Sequence, residues 1–354
     1  MKTYKCENCN NDLYFENSVC LQCGYKVGFD PEKFAFVTLS LGTNGNYNDI
    51  INHTEYRSCA NEQFGVCNWL IPTHYSNTYC LACQLNRGIP SLADPANQER
   101  WKKLEVAKHR LIFSLLRLNL PVQPKVDNGA QGLQFDFLND VSPGEKITTG
   151  HENGVITINA AEADEVERVS SKVFLGEKYR TLLGHFRHEV GHYYWDVLIK
   201  NSPLLDNFHE LFGDESIDYS EALQRHYQNG APANWPDHFI SPYAASHPWE
   251  DWAESWSHYL HMMDTLETAH AFGIAIRPDE NKQTESVTAD IKEDPYQCED
   301  FNDIIEMWLP LTYAVNSLNR SMGHPDFYPF IISNPVVNKL KFIHEVCRSV
   351  GPVQ

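Results

Sequence analysis

The chain has 354 residues, 42% of them hydrophobic, and a formal net charge of -19. That length and apolar content suit a globular protein of two domains with a sizeable core, and the net negative charge disfavours binding of nucleic acid phosphates over the molecule as a whole. No apolar run approaches the roughly 20 residues that span a bilayer, so no membrane attachment is expected. Met1-Lys2-Thr3-Tyr4-Lys5-Cys6 lacks the apolar centre of an export signal, which makes the cytoplasm the expected compartment. Ten cysteines would stay reduced there, and reduced cysteines point to metal binding rather than to disulfides.

Their spacing supports metal. Cys6-Glu7-Asn8-Cys9 and Cys20-Leu21-Gln22-Cys23-Gly24 form two CxxC turns, each able to place two thiolates on one ion. Four thiolates around a tetrahedral zinc make the closed, structural kind of site, and the pattern predicts a zinc ribbon with Asp12-Leu13-Tyr14-Phe15 as its hairpin strand. A redox CxxC would need a βαβ pattern around it, and there is none. Cys59, Cys67, Cys80 and Cys83 form a second set, irregular in its first pair and regular in its second. It reads as another four-thiolate zinc site, although ligands of the two sets could interleave. Residues 31 to 58 read as strand and turn. Two zinc ions would replace a core that so polar a stretch could scarcely build.

After a linker from Pro90 to Pro95, Leu104, Ala107, Leu111, Leu115 and Leu118 recur at helical spacing from Gln98 onward. Gly132 to Leu138 alternates as a strand, and Val155 to Asn159 is a second strand entered by the turn His151-Glu152-Asn153-Gly154. Helices are expected over Ala160 to Val173, Tyr179 to Lys200 and Tyr219 to Tyr227, the last ending at Asn229-Gly230. Residues 279 to 300 read as a solvated acidic loop. Helical segments follow around Asp303 to Arg320, with Pro310 kinking or restarting the chain, and over Val336 to Ser349. Cys298 and Cys347 have no metal-like spacing and read as packing residues.

Within the second of those helices, Gly184-His185-Phe186-Arg187-His188-Glu189-Val190-Gly191-His192-Tyr193 carries the pattern HExxH. His188 and His192, four residues apart, project from one helix face and can grip one zinc, while Glu189 can hold and deprotonate the attacking water. Leu182, Phe186, Val190, Tyr193 and Val197 form an apolar stripe on another face. His185 lies with the two ligand histidines and reads as a satisfied structural side chain. A catalytic zinc also needs a third protein ligand. Downstream, Glu250 and Glu254 share one face of a helix whose opposite side carries Trp252, Trp256, Tyr259 and Leu260. Spacing alone does not choose between the two carboxylates. Asp214 and Glu215 read as surface carboxylates.

On these residues the chain resembles the gluzincin metallopeptidases, above all the lethal-factor-like branch, in which a Tyr precedes an E-D-x-A-E helix. The resemblance implies that Glu250 is the third zinc ligand, that Glu254 supports a zinc-binding histidine from behind, and that the Tyr243 hydroxyl stabilises the oxyanion. Tyr243 follows Pro242, so it could equally be a turn residue. The whole chain is similar to bacterial zinc-ribbon-containing zinc-binding metallopeptidases. Zincins of this kind pair extended substrate with an edge strand before the active helix, a place that Val155, Ile156, Thr157 and Ile158 occupy by resemblance; an ordinary core strand is the other reading. The expected architecture is α+β: a double zinc-ribbon module over 1–90, a helical connector over 91–125, and a mainly helical zincin-like domain with a small sheet over 126–354. One catalytic and two structural zinc ions are expected, with a peptide or protein as substrate and a possible protein partner at the ribbons. The competing reading is an interaction protein that binds zinc without turnover.

Overall fold

The computed structural model describes residues 2–140, 147–165, 181–277 and 288–351. The chain divides into two compact units, Met1–Phe113 with Val122–Ser170, and Ser114–Pro121 with Ser171–Gln354. The strands between residues 134 and 159 thus group with the cysteine-rich part of the chain and not with the helices that follow them.

The first unit begins with a short antiparallel hairpin, β1 (Tyr4–Lys5) and β2 (Asp12–Leu13). An antiparallel meander follows: β3 (Lys26–Asp30), β4 (Ala35–Leu41), β5 (Tyr47–Asp49), β6 (Glu55–Ser58) and β7 (Leu70–Pro72). Phe15, Phe29, Trp69 and Phe113 pack their rings together against it, with centroids 4.9–6.3 Å apart. Asp30, buried there, accepts the Tyr56 hydroxyl at 2.7 Å, which satisfies both groups. Gly28 is required because a side chain at that position would collide with Leu70 and the Asn68 carbonyl. A helix, α1 (Pro95–Arg117), belongs to this unit as far as Phe113 and buries Trp101 there, together with Leu104 and Leu111 of the stripe that the spacing marks.

A second sheet is ordered β10-β11-β9-β8, from β8 (Asn86–Gly88), β9 (Gln134–Leu138), β10 (Gly150–Glu152) and β11 (Val155–Asn159). Asn153 and Gly154, at φ 49° and 79°, make the tight turn between β10 and β11. The sheet order places β11 inside the sheet, so of the two readings of Val155 to Asn159 the ordinary inner strand holds and the edge that the resemblance implies does not. β11 pairs in parallel with β9 along its whole length, and Val155, Ile156 and Thr157 also pair with β10. Their backbone is taken on both sides, so an added strand would have to meet β10. Residues Ala160–Ala163 form a single 3₁₀ turn, capped by Asn159, where a helix was expected. Residues 166–173 of that expected helix, Tyr179 at the start of the next, and residues 279–287 of the acidic loop lie outside the described residues.

The second unit is helical: α2 (Leu182–Leu198), α3 (Leu205–Phe212), α4 (Tyr219–Asn229), α5 (Pro248–Ala271), α6 (Phe301–Ser321) and α7 (Asn334–Ser349), with a two-stranded ribbon of β12 (Ala275–Ile276) and β13 (Ala289–Asp290). Helix α6 continues through Pro310. Trp252, Trp256, Tyr259 and Leu260 of α5 are fully buried, as are Phe186 and Val190 of α2. The two helices approach at Gly191, where a Cβ would stand 3.1 Å from the Ala253 Cα and 3.2 Å from Trp256. The Gly191 carbonyl there accepts the Trp252 indole N–H at 2.9 Å. Gly191→Ala is therefore expected to lower stability by about 1–3 kcal/mol through overpacking, of which helix propensity returns roughly 1 kcal/mol. An unchanged or raised denaturant midpoint would show that the helices can separate without penalty. Among the described residues no helix is long and apolar enough to cross a membrane.

Candidate functional site

Thr181 opens α2 by accepting the Gly184 N–H on its hydroxyl at 3.0 Å, which sets the helix phase four residues before His188. Helix α5 starts at Pro248, whose missing N–H costs nothing in a first turn. His247 caps it: its Nδ1 accepts the Trp249 N–H at 3.1 Å, and its Nε2 reaches the Ile217 carbonyl at 3.2 Å. One imidazole thus ties the start of α5 to the segment leading into α4.

Three donor atoms converge between α2 and α5. His188 Nε2 and His192 Nε2 are 3.2 Å apart, His188 Nε2 and Glu250 Oε2 3.0 Å, and His192 Nε2 and Glu250 Oε2 3.5 Å. Ligands about 2.0–2.1 Å from a tetrahedral zinc stand roughly 3.3 Å from one another. The buried Glu250 Oε2 faces only the two imidazole nitrogens, and a buried carboxylate oxygen so placed is costly unless a cation meets it. The donor set therefore fits zinc.

The neighbours aim these donors. His188 Nδ1 lies 2.8 Å from Glu254 Oε1, whose other oxygen accepts the Ser241 hydroxyl at 2.6 Å. Of the two carboxylates that spacing left open, Glu250 reaches the imidazole Nε2 atoms and Glu254 backs His188. The Tyr219 hydroxyl donates to Glu250 Oε1 at 2.6 Å, leaving Oε2 to the site. The Trp249 ring lies against His192, centroids 3.8 Å apart. Tyr243 sits on a 3₁₀ turn, its ring 6.1 Å from that of His188. Beside Glu250, Asp251 is paired inside the protein with Lys339 at 2.6 Å.

Electrostatics separates the carboxylates. Burial would raise Glu254, yet its hydrogen bond and attraction to His188 bring it down to about 2. Burial likewise opposes ionisation of Glu250, but His192 and His188 hold it well below the usual carboxylate range. Glu189 moves the other way, raised by burial against the pull of the two histidines. A carboxyl raised by burial beside carboxylates held ionised is the arrangement in which one acid can accept and return a proton. Burial also raises the Tyr243 hydroxyl, which stays protonated and able to donate.

The cysteines assemble as two separate sets, without interleaving: Cys6, Cys9, Cys20 and Cys23, and Cys59, Cys67, Cys80 and Cys83. Sulfur pairs Cys6–Cys23, Cys9–Cys20 and Cys67–Cys80 each stand 3.6 Å apart. Thiolates about 2.3 Å from one tetrahedral zinc stand roughly 3.8 Å apart, whereas a disulfide needs about 2.05 Å. All ten cysteines are free, and Cys298 and Cys347 are buried. His209 and Glu215, 2.6 Å apart, group with Asp214 on an exposed surface. Tyr219, Ser241 and Trp249 were not anticipated; they lie in other helices or turns, and no spacing relates them to the histidines.

Donor sets of this composition define a zinc-binding protein with one site of mixed nitrogen and oxygen ligands. The family described as "putative zinc-binding metallo-peptidase" matches residues 97–346, and a zinc-ribbon domain matches residues 3–94; the chain belongs to this metallopeptidase family. It is similar to uncharacterized proteins of Mycobacterium bovis and Mycobacterium tuberculosis, each 42% identical over 353 residues, covering 99% of this chain and 97% of theirs. No solved structure matches it.

Proposed function

We propose that the chain is a zinc-dependent peptidase in which His188, His192 and Glu250 hold the catalytic zinc and Glu189 is the general base. The observation that carries this reading is the convergence of two imidazole nitrogens and one buried carboxylate oxygen at 3.0–3.5 Å from one another. Bound zinc would supply a Lewis acid that polarises the scissile carbonyl and acidifies water. Glu189 takes a proton from the attacking water and returns it to the leaving amine, a role its raised carboxyl suits. Tyr243, kept protonated by burial, donates a hydrogen bond to the developing oxyanion. Glu254 fixes the His188 ring, and Tyr219 keeps one oxygen of Glu250 out of the coordination sphere. Two further zinc ions in the four-cysteine sets hold the ribbons, which serve structure or recognition of a substrate or partner protein. A reducing compartment such as the cytoplasm suits ten free cysteines.

Partners that orient zinc ligands are typically worth tenfold to a hundredfold in metal affinity. Glu254→Gln and Tyr219→Phe are each expected to weaken the catalytic zinc by about that factor, measured by competition with a chromophoric chelator, while the cysteine-bound zinc stays. Full affinity in both variants would remove these two residues from the site. Incubating the protein with a denatured proteome and mapping new N-termini tests the activity itself, with Glu189→Gln as the reference. If the two preparations yield the same N-termini, the chain is a zinc-binding interaction protein and not a peptidase.

A further inference from the structure

The second four-cysteine set has a fifth donor beside it. His109, on α1, lies outside the residues that match the zinc-ribbon domain. Its Nε2 is 3.4 Å from Cys67 Sγ and 3.9 Å from Cys83 Sγ. These separations match those among the sulfurs themselves, 3.6 Å for Cys67–Cys80. The ring is 4% exposed and held on two sides. Its Nδ1 is 2.7 Å from the Glu105 carbonyl oxygen, and Trp69 meets it edge-on with centroids 5.1 Å apart. A carbonyl can only accept, so Nδ1 carries the proton, and in the neutral ring the Nε2 lone pair faces the sulfurs.

Cys67 is also the most accessible ligand of the set, its sulfur accepting the Trp69 N–H at 3.4 Å. Cys80 and Cys83 belong to one CxxC turn, whereas Cys67 is reached from Cys59 across a 3₁₀ turn, Ala60–Phe64, that ends at Gly65 with φ 68°. At 7% exposure it is the least covered of the four, against 2%, 2% and 3% for Cys59, Cys80 and Cys83. A cleft of about 140 Å³ is lined by Cys67 and His109 together with Glu62, Val66, Lys102 and Val106.

We propose that His109 is a reserve ligand of the second zinc site, able to take the place of Cys67 so that three thiolates and one imidazole hold the ion while the Cys67 sulfur faces the cleft. The zinc–sulfur bond to Cys67 breaks, a zinc–nitrogen bond to His109 forms, and the released sulfur takes up a proton from solvent to become a neutral thiol. Exchange of a thiolate for a neutral imidazole removes one negative charge from a buried site, and zinc accepts both donor sets.

The test uses the full-length protein and two readouts that do not involve peptidase activity: zinc content per chain by inductively coupled plasma mass spectrometry, and the visible spectrum after cobalt substitution. Cys67→Ala is expected to keep the zinc content of the wild type, with a cobalt spectrum shifted toward three sulfurs and one nitrogen. Cys67→Ala combined with His109→Ala is expected to hold one zinc fewer. Cys67→Ala that fails to fold or holds one zinc fewer overturns the proposal, as does a double variant that keeps full zinc, because His109 would then be only a packing residue or a donor to the Cys67 thiolate. The outcome is independent of whether His188, His192 and Glu250 support turnover.

Discussion

Glu189→Gln is expected to fold, to bind metal as the wild type does, and to lose at least about a hundredfold in kcat/KM for any peptide the wild type cleaves. The magnitude follows from the usual contribution of a positioned general base, 10²- to 10⁴-fold. The amide is close to isosteric with the carboxyl and Glu189 supplies no donor to the converging set, so the loss should fall on kcat and leave zinc content unchanged. The change removes a proton acceptor whose carboxyl burial has raised. A variant of equal rate would remove Glu189 from the mechanism, and a variant that loses zinc would make it a structural residue.

The second large effect concerns the ribbons. Cys20→Ala is expected to abolish zinc binding at the first four-cysteine set and to unfold the hairpin of β1 and β2. Structural zinc contributes about 10–16 kcal/mol of apparent folding free energy at neutral pH, comparable to the whole stability of a typical domain. The hairpin has two residues in each strand, too little backbone pairing to persist alone. Limited proteolysis should cut the variant between residues 1 and 30 where the wild type resists. Resistance equal to the wild type would mean that the aromatic cluster of Phe15, Phe29 and Trp69 holds this region without metal.

The three donor sets were legible in the sequence as far as their ligands obey short-range rules. Two CxxC turns, and two histidines four residues apart on a helix, fix donor geometry locally. The apolar stripe of α2 was legible for the same reason, and so were Trp252 and Trp256 as the buried side of α5. Long-range partners were not. Tyr219, Ser241 and His109 reach their sites from other elements, and a lone tyrosine, serine or histidine carries no periodic signal. The choice between Glu250 and Glu254 needed the crossing of α2 and α5 at Gly191, which spacing within one helix does not contain. For strand β11 the edge and the inner reading stood side by side, because a strand's own alternation says which face is buried and nothing about whether both its edges are paired. The 3₁₀ turn after Asn159 replaced the first turn of an expected helix, since Asn159 caps the turn with its own side chain.

Anomalous diffraction at the zinc absorption edge tests the convergence of these ligands most directly. The expected result is a peak coordinated by His188 Nε2, His192 Nε2 and Glu250 Oε2, with its remaining position open to solvent. A peak that is absent there, that takes Glu254 in place of Glu250, or that is closed by a fourth protein atom would contradict the account.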